Sequence, residues 1–302
     1  MNQSSPHTPV LLNQTIEGLN IRPDGIYIDA TYGAGGHSRE IFKRLGKKGR
    51  LIAFDQDRTA QQYAIEADNF ILIHSNFVFI PNFLKFLGID SVDGIMADLG
   101  VSSMHLDMPE RGFSYRFDAP LDMRMNTQQR FSAKDVVNKY PEKELIKIFK
   151  EYGEVHNARQ VAKAIVQSRE KQPINTTKEL VEIVENFYPP KYRNKNLSKI
   201  FQALRIEVNG EIDKLKKFLE IGGKVIRPGG RFAIITFHSL EDRIVKNYFK
   251  TGTFDGVPQK DIYGNASFPF KPVNKKVIVP DWQEQKNNPR SRSAKLRIAE
   301  KL

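Results

Sequence analysis

The sequence IYIDATYGAGGHS, residues 26–38, decides the fold of this chain. It starts with a short apolar run typical of a β-strand, passes through a glycine-rich turn, and ends in residues that can begin a helix. A second apolar run, residues 51–54, ends on Asp55. A strand, a glycine-rich loop and an acidic residue at the tip of the next strand together predict a pocket for a nucleoside cofactor.

Strand and helix signals alternate outward from this stretch. Nearly continuous apolar runs predict strands at residues 26–30, 51–55, 70–74 and 92–98, as expected for parallel strands that are covered on both faces. Apolar residues at helical spacing separate the first two strands. The pattern therefore predicts α/β architecture with right-handed crossovers.

Residues 131–196 interrupt this alternation, because they contain helix signals and no strand pattern. Capping-box patterns at residues 132–135 and 176–179 precede apolar runs at helical spacing. Strand signals return afterwards, so this piece is predicted to be an insertion. We expect one α/β domain made of residues 1–130 and 197–302, interrupted by an all-helical domain at 131–196.

The chain after the insertion begins with a helical pattern. Apolar residues from Phe201 to Leu219 step by three and four and predict one long helix, overriding the turn signal of Asn209-Gly210. Gly222-Gly223 is predicted to end that helix before a strand at residues 231–237. The stretch 251–295 is predicted to be largely irregular. Its expected flanking strands are antiparallel and lie at residues 277–279 and 296–299.

The charge of the chain points to a polyanionic partner. Lys and Arg number 47 against 35 Asp and Glu, which gives a formal net charge of +12. Such an excess favours nucleic acid, because each neutralised phosphate releases a condensed counterion. The densest basic tract comprises Lys271, Lys275, Lys276, Lys286, Arg290, Arg292, Lys295 and Arg297. This tract is interpreted as a surface that follows phosphates, with a merely solvated face as the alternative.

Composition also excludes several classes of function. The chain has no cysteine, which rules out disulfides, thiol catalysis and cysteine metal clusters. Its six histidines lack metal-ligand spacing, so no metal is expected. No apolar run approaches the length of a membrane span, and the first residues lack a secretion-signal pattern. We expect a cytoplasmic protein.

Three positions carry the expected chemistry. The loop departs from the dinucleotide pattern G-x-G-x-x-G at Ser38, although a simple tight turn would also need its glycines. Asp55 can accept both hydroxyls of a ribose and would repel a 2′-phosphate, which disfavours NADP. Asp98 ends the fourth predicted strand, where it either faces the ligand crevice or caps the following turn. If the substrate carries an aromatic amine, a carboxylate beside that amine would favour its attack as a nucleophile.

A further group of residues follows the predicted strand at 231–237. His238 either lines the substrate cleft or is structural. Glu241 and Asp242 are predicted to stabilise the first turn of a helix through its dipole, with Asp242 and Arg243 forming a local ion pair.

Seven stretches, in chain order, resemble the RsmH (MraW) family of bacterial S-adenosyl-L-methionine-dependent methyltransferases of small-subunit ribosomal RNA. They are His7 to Leu11, Asp29 to Ser38, Asp98 to Ser103, Glu110 to Ser114, Leu121 to Met125, Phe237 to Arg243 and Pro289 to Ser293. The resemblance covers essentially the whole chain. It implies a class I, Rossmann-like methyltransferase sheet with an inserted helical domain. It also implies methylation of the exocyclic N4 of a cytidine in the decoding region of 16S rRNA.

The resemblance further implies cofactor contacts at Gly35, Gly36, His37, Asp55, Phe77, Asp98 and His105. Asp55 would hold the ribose, Phe77 would pack near the adenine, and Asp98 would lie at the reactive end and serve as the candidate catalytic residue. His105 stands where the family usually has glutamine, and an imidazole lacks the geometry of an amide.

Two other functions use the same features. An NAD-dependent dehydrogenase would share the strand, loop and acidic residue, but the missing third glycine, the basic tail and the whole-chain resemblance disfavour it. An RNA-binding or ribosome-assembly factor without catalysis would share the fold and the charge. The helical insertion is predicted to supply RNA contacts or a lid. The sequence leaves open whether the substrate is naked 16S rRNA, a precursor particle or an assembled small ribosomal subunit.

Overall fold

A computed structural model describes residues 9–101 and 106–302. Seven strands of these residues form one sheet with the order β3-β2-β1-β4-β5-β7-β6. The strands are β1 (Ile26–Asp29), β2 (Arg50–Asp55), β3 (Phe70–His74), β4 (Val92–Asp98), β5 (Ile226–Thr236), β6 (Phe270–Pro272) and β7 (Lys295–Lys301). The first five are parallel, and β7 runs antiparallel to both β5 and β6. The predicted α/β class with a Rossmann-like sheet is confirmed.

Helices connect the strands and make up most of the middle of the chain. They are α1 (Leu12–Leu19), α2 (Gly36–Phe42), α3 (Ile80–Phe86), α4 (Ala133–Lys139), α5 (Glu142–Glu151), α6 (Ala158–Arg169), α7 (Thr177–Val184), α8 (Pro190–Asn209), α9 (Glu211–Val225), α10 (Ser239–Thr251) and α11 (Trp282–Asn287). Among the described helices, none combines the length and the apolar character that crossing a membrane requires.

The chain divides into two compact units, one running to Gly100 and resuming at Asp213, the other spanning Val101–Ile212. The second unit is wider than the helical segment predicted at residues 131–196. It is wider because Leu121, before α4, and Ile200, in α8, are fully or almost fully buried in its core. Sequence patterns mark where strands stop, whereas packing decides which flanking residues join a core.

The prediction of one long helix from Phe201 to Leu219 is wrong, because α8 ends at Asn209 and α9 begins at Glu211. Gly210 has a φ of 59°, the left-handed conformation in which many helices end. The buried Asn209 side chain donates to the Met123 carbonyl and accepts from the Met125 N–H, both at 2.8 Å. These bonds fix the helix end, and the apolar spacing gives no sign of them.

The predicted helix end at Gly222-Gly223 is also wrong, since α9 continues to Val225. A Cβ atom on Gly222 would overlap the ring of Phe232 in β5. The glycine is therefore needed for close packing of the helix on the sheet rather than for a turn. Farther along, the strand expected at residues 277–279 is reduced to a single bridge between Ile278 and Leu296.

Candidate functional site

The glycine-rich loop occupies a notch at the carboxyl edge of the sheet. β1 ends at Asp29, which is opposite the third-last residue of both β2 and β4, so its two neighbours run on to Asp55 and Asp98. Ala30 donates a backbone hydrogen bond to β4 and Tyr32 donates one to β2, each 2.9 Å long. The loop is thereby held between two strand tips that each carry a carboxylate.

Glycines are required where the loop turns into α2. Gly33 and Gly35 have φ angles of 54° and 76°, both left-handed. A Cβ atom on Gly35 would lie 2.5 Å from the hydroxyl oxygen of Tyr32, and one on Gly36 would overlap the ring of Pro9. The predicted contacts at Gly35 and Gly36 thus lie at two positions of the loop that have no room for a side chain.

Asp55 is oriented by two backbone donors at the tip of β2. Its Oδ2 accepts from the Gly33 N–H at 2.7 Å, and its Oδ1 accepts from the Asp57 N–H at 2.8 Å. A carboxylate can accept about four hydrogen bonds in all, which is more than these two donors supply. The same bond to Gly33 links the acidic residue directly to the loop.

His37 lies in the first turn of α2, and its side chain is buried. Its Nε2 is 3.0 Å from the carbonyl oxygen of Val10. Because a carbonyl can only accept, Nε2 carries the proton in this bond. Burial lowers the pKa of His37 to about 4, so the ring is neutral at pH 7. The imidazole therefore holds the segment before α1, so the predicted cofactor contact at this residue would have to use its backbone N–H.

Ser38, which stands at the third glycine of the dinucleotide pattern, has a side chain that binds Asp29. Its hydroxyl donates to Oδ2 of Asp29 at 2.6 Å, and the Thr31 N–H reaches the other carboxylate oxygen at 3.1 Å. Asp29 is only 1% exposed. Burial, with a smaller contribution from the charge of Asp55, raises the pKa of Asp29 to about 6 despite these bonds.

Asp98 ends β4 on the other side of the notch. Its backbone N–H donates to the Thr31 hydroxyl oxygen at 2.6 Å. Its Oδ1 is buried and has no hydrogen-bond partner among the residues that the structure describes. Burial, and then the nearby charges of Asp29 and Glu241, raise the pKa of Asp98 to about 8. A buried carboxyl group with an unsatisfied oxygen and a strongly shifted pKa marks a candidate functional group.

Glu241 joins this group of carboxyls, which the sequence did not indicate. It is 3% exposed, and its Oε2 accepts from the Phe237 N–H at 3.0 Å. The Nε2 of His238 lies 3.0 Å from its Oε1, and the Nδ1 of His238 accepts from the Glu241 N–H at 3.4 Å to cap α10. An acidic residue three positions after a capping histidine at a strand end is the only signal that could have found it.

Asp242 has two partners that the sequence did not predict. Its carboxylate oxygens lie 2.6 Å from Nε of Arg297 and 3.3 Å from Nζ of Lys295, both in β7. These contacts form a bridge from α10 to β7, and the expected pair of Asp242 with Arg243 stays a prediction. Burial opposes ionisation, but the bonds and charges of Arg297 and Lys295 outweigh it and keep the pKa of Asp242 below its ordinary value. Two residues of the basic tract are thus structural.

The two other predicted contacts have separate outcomes. Phe77 follows β3 and is half-buried, with its ring centroid 4.7 Å from that of Phe218 in α9. This packing gives it a structural role, and the adenine contact stays a prediction. His105 lies outside the described residues, together with Ser102 and Ser103.

Comparisons with known proteins are extensive. A family model described as the MraW methylase family matches residues 4–302. The chain is similar to a protein of Flavobacterium johnsoniae named ribosomal RNA small subunit methyltransferase H, with 55% identity over 98% of each chain. A protein of the same name from Bacteroides thetaiotaomicron is 52% identical over 98% of this chain and 97% of its own.

A solved structure, an rRNA methylase from Streptococcus thermophilus, gives a TM-score of 0.43 at 12% identity, covering 100% of this chain and 99% of that one.

Proposed function

Because the chain belongs to the MraW methylase family, we propose that it transfers a methyl group from S-adenosyl-L-methionine to ribosomal RNA of the small subunit, in the cytoplasm. At the finer level, the proposed acceptor is the exocyclic N4 of a cytidine in the decoding region of 16S rRNA. The observation that carries the proposal is the near-complete match to proteins named small-subunit rRNA methyltransferases.

The notch fits the proposed cofactor on its own geometry. S-adenosyl-L-methionine supplies an electrophilic methyl group on a positively charged sulfur. The loop from Gly33 to His37 would cradle its amino-acid and ribose portions, and Asp55 would accept the ribose hydroxyls. Oδ1 of Asp98, which is buried and has no partner within residues 9–101 and 106–302, would face a positive or hydrogen-bond-donating group. Phe77 and His105 complete the proposed contacts.

The residues of the chain would also prepare the acceptor. The amine of a cytidine is a poor nucleophile because its lone pair is delocalised into the ring. A carboxylate that accepts a hydrogen bond from the amine stabilises the positive charge that develops on its nitrogen. Asp98 has to be ionised for this role, and a positive charge bound nearby would lower its raised pKa. Glu241, buried close by, adds negative charge at the same edge.

The test is transfer of tritium-labelled methyl groups to small ribosomal subunits from cells that lack this protein. We expect incorporation, followed by recovery of N4-methylcytidine in nucleoside mass spectrometry of the 16S rRNA. Parallel reactions with naked 16S rRNA, precursor particles and assembled subunits identify the substrate. Absence of incorporation with all three would leave RNA binding as the role. Thermal stabilisation by NAD, without any by S-adenosylhomocysteine, would favour the dehydrogenase instead.

Replacing Asp55 with asparagine is expected to weaken binding of S-adenosylhomocysteine by about 10–100-fold. A hydrogen bond to a charged acceptor contributes about 1.5–3 kcal/mol, and the amide can accept at only one of its two terminal atoms. Calorimetric titration measures the change. Asp57→Asn is the control, because Asp57 caps the next turn by accepting from the Thr59 N–H at 2.9 Å. Equal losses in both variants would contradict a specific ribose contact at Asp55.

We also propose that the helical insertion, predicted at residues 131–196 and lying within the second unit Val101–Ile212, supplies contacts to the RNA together with the residues just before it. The second unit contains a cavity of about 540 Å³ whose lining includes Arg124, Arg130 and Lys134. Arg124 is bound to Asp122 at 2.6 Å, whereas Arg130 and Lys134 are exposed and can reach phosphates.

The double variant Arg130→Ala/Lys134→Ala is expected to raise KM for the RNA several-fold without changing affinity for S-adenosylhomocysteine. For a single strand, the slope of log Kd against the logarithm of the salt concentration should fall by about 0.7 for each removed side chain that neutralises one phosphate. Filter binding at several salt concentrations measures this slope. A matched variant of Lys163 and Lys178, exposed elsewhere in the same unit, serves as control. If KM and slope are unchanged, the cavity has no role in RNA binding.

A further inference from the structure

Trp282 is a large aromatic side chain that the fold leaves mostly exposed to solvent. It is the only tryptophan of the chain and is 71% exposed, at the first position of the short helix α11. The Nζ atom of Lys286, one turn later, lies 5.1 Å from the centroid of its ring. Proteins that bind single-stranded nucleic acids commonly use an exposed aromatic ring for base stacking and a nearby cation for phosphate contact.

The topology places α11 at the edge of the sheet that carries the proposed active site. β7 begins at Lys295, which is paired with Thr236, the last residue of β5. Because β5 is parallel to β4, this end of β5 lies at the same edge as the tip of β4, where Asp98 is found. The segment that leads into β7, including Trp282, therefore lies beyond the carboxyl ends of the parallel strands.

Direct contacts connect α11 to the cofactor loop. Oε1 of Glu284, in α11, accepts from the backbone N–H of Leu11 at 2.7 Å. The preceding residue, Val10, accepts from the His37 ring in the first turn of α2. The helix that carries Trp282 is thus anchored to the segment against which the loop packs, so its position relative to the notch is fixed by bonds within one compact unit.

Basic side chains surround this helix. Lys286 is exposed in α11, and Arg290 and Arg292 are exposed in the turn that follows. Ser291 between them is fully buried and donates to the Asn288 carbonyl at 2.8 Å, which fixes the turn with both arginines at the surface. Positive charge of this density favours phosphates over an apolar protein partner.

We propose that Trp282, with Lys286, Arg290 and Arg292, forms a stacking platform for an unpaired base of the substrate RNA beside the nucleotide to be methylated. The inference rests on the proposed function, since it names how the same RNA is held. Base stacking on an aromatic ring tolerates any sequence, and the cations bind the flanking phosphates. The platform would therefore select for an unpaired strand rather than for a particular base.

The single tryptophan permits a direct test on the full-length protein. We expect a fluorescein-labelled pyrimidine-rich RNA of about 12 nucleotides, within the usual footprint of single-strand binding surfaces, to quench the tryptophan emission as it binds. Trp282→Ala should raise Kd about tenfold by anisotropy, and Trp282→Phe should retain most of the affinity. Phe86→Ala is the matched control. Phe86 is 87% exposed at the end of α3, which leads into the start of β4 at the opposite edge.

The outcomes separate this inference from the proposed function. RNA binding with unchanged tryptophan emission, or equal affinity in Trp282→Ala and Phe86→Ala, would overturn the platform while methyl transfer by the wild-type protein persisted. Quenching and loss of affinity specific to Trp282, without methyl transfer to any ribosomal substrate, would support the platform and defeat the proposed function. Retention of the wild-type thermal unfolding midpoint by Trp282→Ala shows that a loss is not due to misfolding.

Discussion

Replacing Asp98 with asparagine is expected to lower methyl transfer by about 100-fold or more and, at the same time, to stabilise the folded protein at pH 8. Loss of one preorganised electrostatic partner of a reacting group commonly costs a factor of about 100–1,000 in rate. The side chain keeps its size, so the packing around Thr31 and Glu241 should be preserved. A simultaneous loss of activity and gain of stability is the behaviour expected of a residue that is strained for function.

The gain in stability follows from the pKa of Asp98. Its value rises from 3.8 to about 8 in the folded protein, so between these pH values the folded state retains a proton that the unfolded chain has released. The contribution of this carboxyl to stability is therefore fully present below about pH 4 and is lost as the pH rises towards 8. Asparagine cannot ionise, and we expect the variant to exceed the wild type by at least about 1 kcal/mol at pH 8.

Asp242→Asn is the matched control, because its pH dependence has the opposite sign. The pKa of Asp242 is held low by Arg297 and Lys295, so its contribution is present at neutral pH and is lost on acidification. This variant should be less stable than the wild type at pH 8 and should approach it at low pH. Urea unfolding at several pH values measures both differences. A destabilised Asp98→Asn protein at pH 8 would show that this carboxyl is ionised and satisfied in the folded state.

The first four strands were predictable because parallel strands covered on both faces are continuous apolar runs. β3 and β4 have the predicted bounds, and β1 and β2 differ from theirs by one residue. The placement of Asp55 and Asp98 at one edge also followed, since the carboxyl ends of parallel strands lie together. These features depend on local patterns that repeat at a fixed spacing.

Features that depend on contacts distant in sequence could not be predicted. The effect of Glu241 on the pKa of Asp98 connects residues from distant parts of the chain. The partners of Asp242 lie more than fifty residues away in β7. The end of α8 depends on bonds from Asn209 to Met123 and Met125. In the sequence, Gly222 cannot be distinguished from a glycine that forms a turn. Only the nearby ring of Phe232 shows that this glycine is needed for close packing. Periodicity carries no information about such partners.

The second large effect is expected for Gly35→Ala, which should destabilise the protein by about 3 kcal/mol and abolish measurable binding of S-adenosylhomocysteine. Two costs add at this position. A left-handed backbone costs an alanine about 1–2 kcal/mol, and overpacking costs a further 1–3 kcal/mol or so. The new methyl group would lie 2.5 Å from the Tyr32 hydroxyl, which donates to the Tyr63 carbonyl at 2.5 Å and so cannot easily move aside.

Gly33→Ala separates the two costs, because Gly33 is also left-handed but a Cβ atom there would meet nothing within 4 Å. It should lose only about 1–2 kcal/mol, the backbone contribution. Thermal and urea unfolding without ligand measure both variants under identical conditions. Equal destabilisation would mean that the Tyr32 ring yields and that the loop is not held rigid. A difference of at least about 1 kcal/mol would instead show that the bond from Tyr32 to Tyr63 fixes the loop before any ligand binds, because only an immobile ring makes the added methyl group costly.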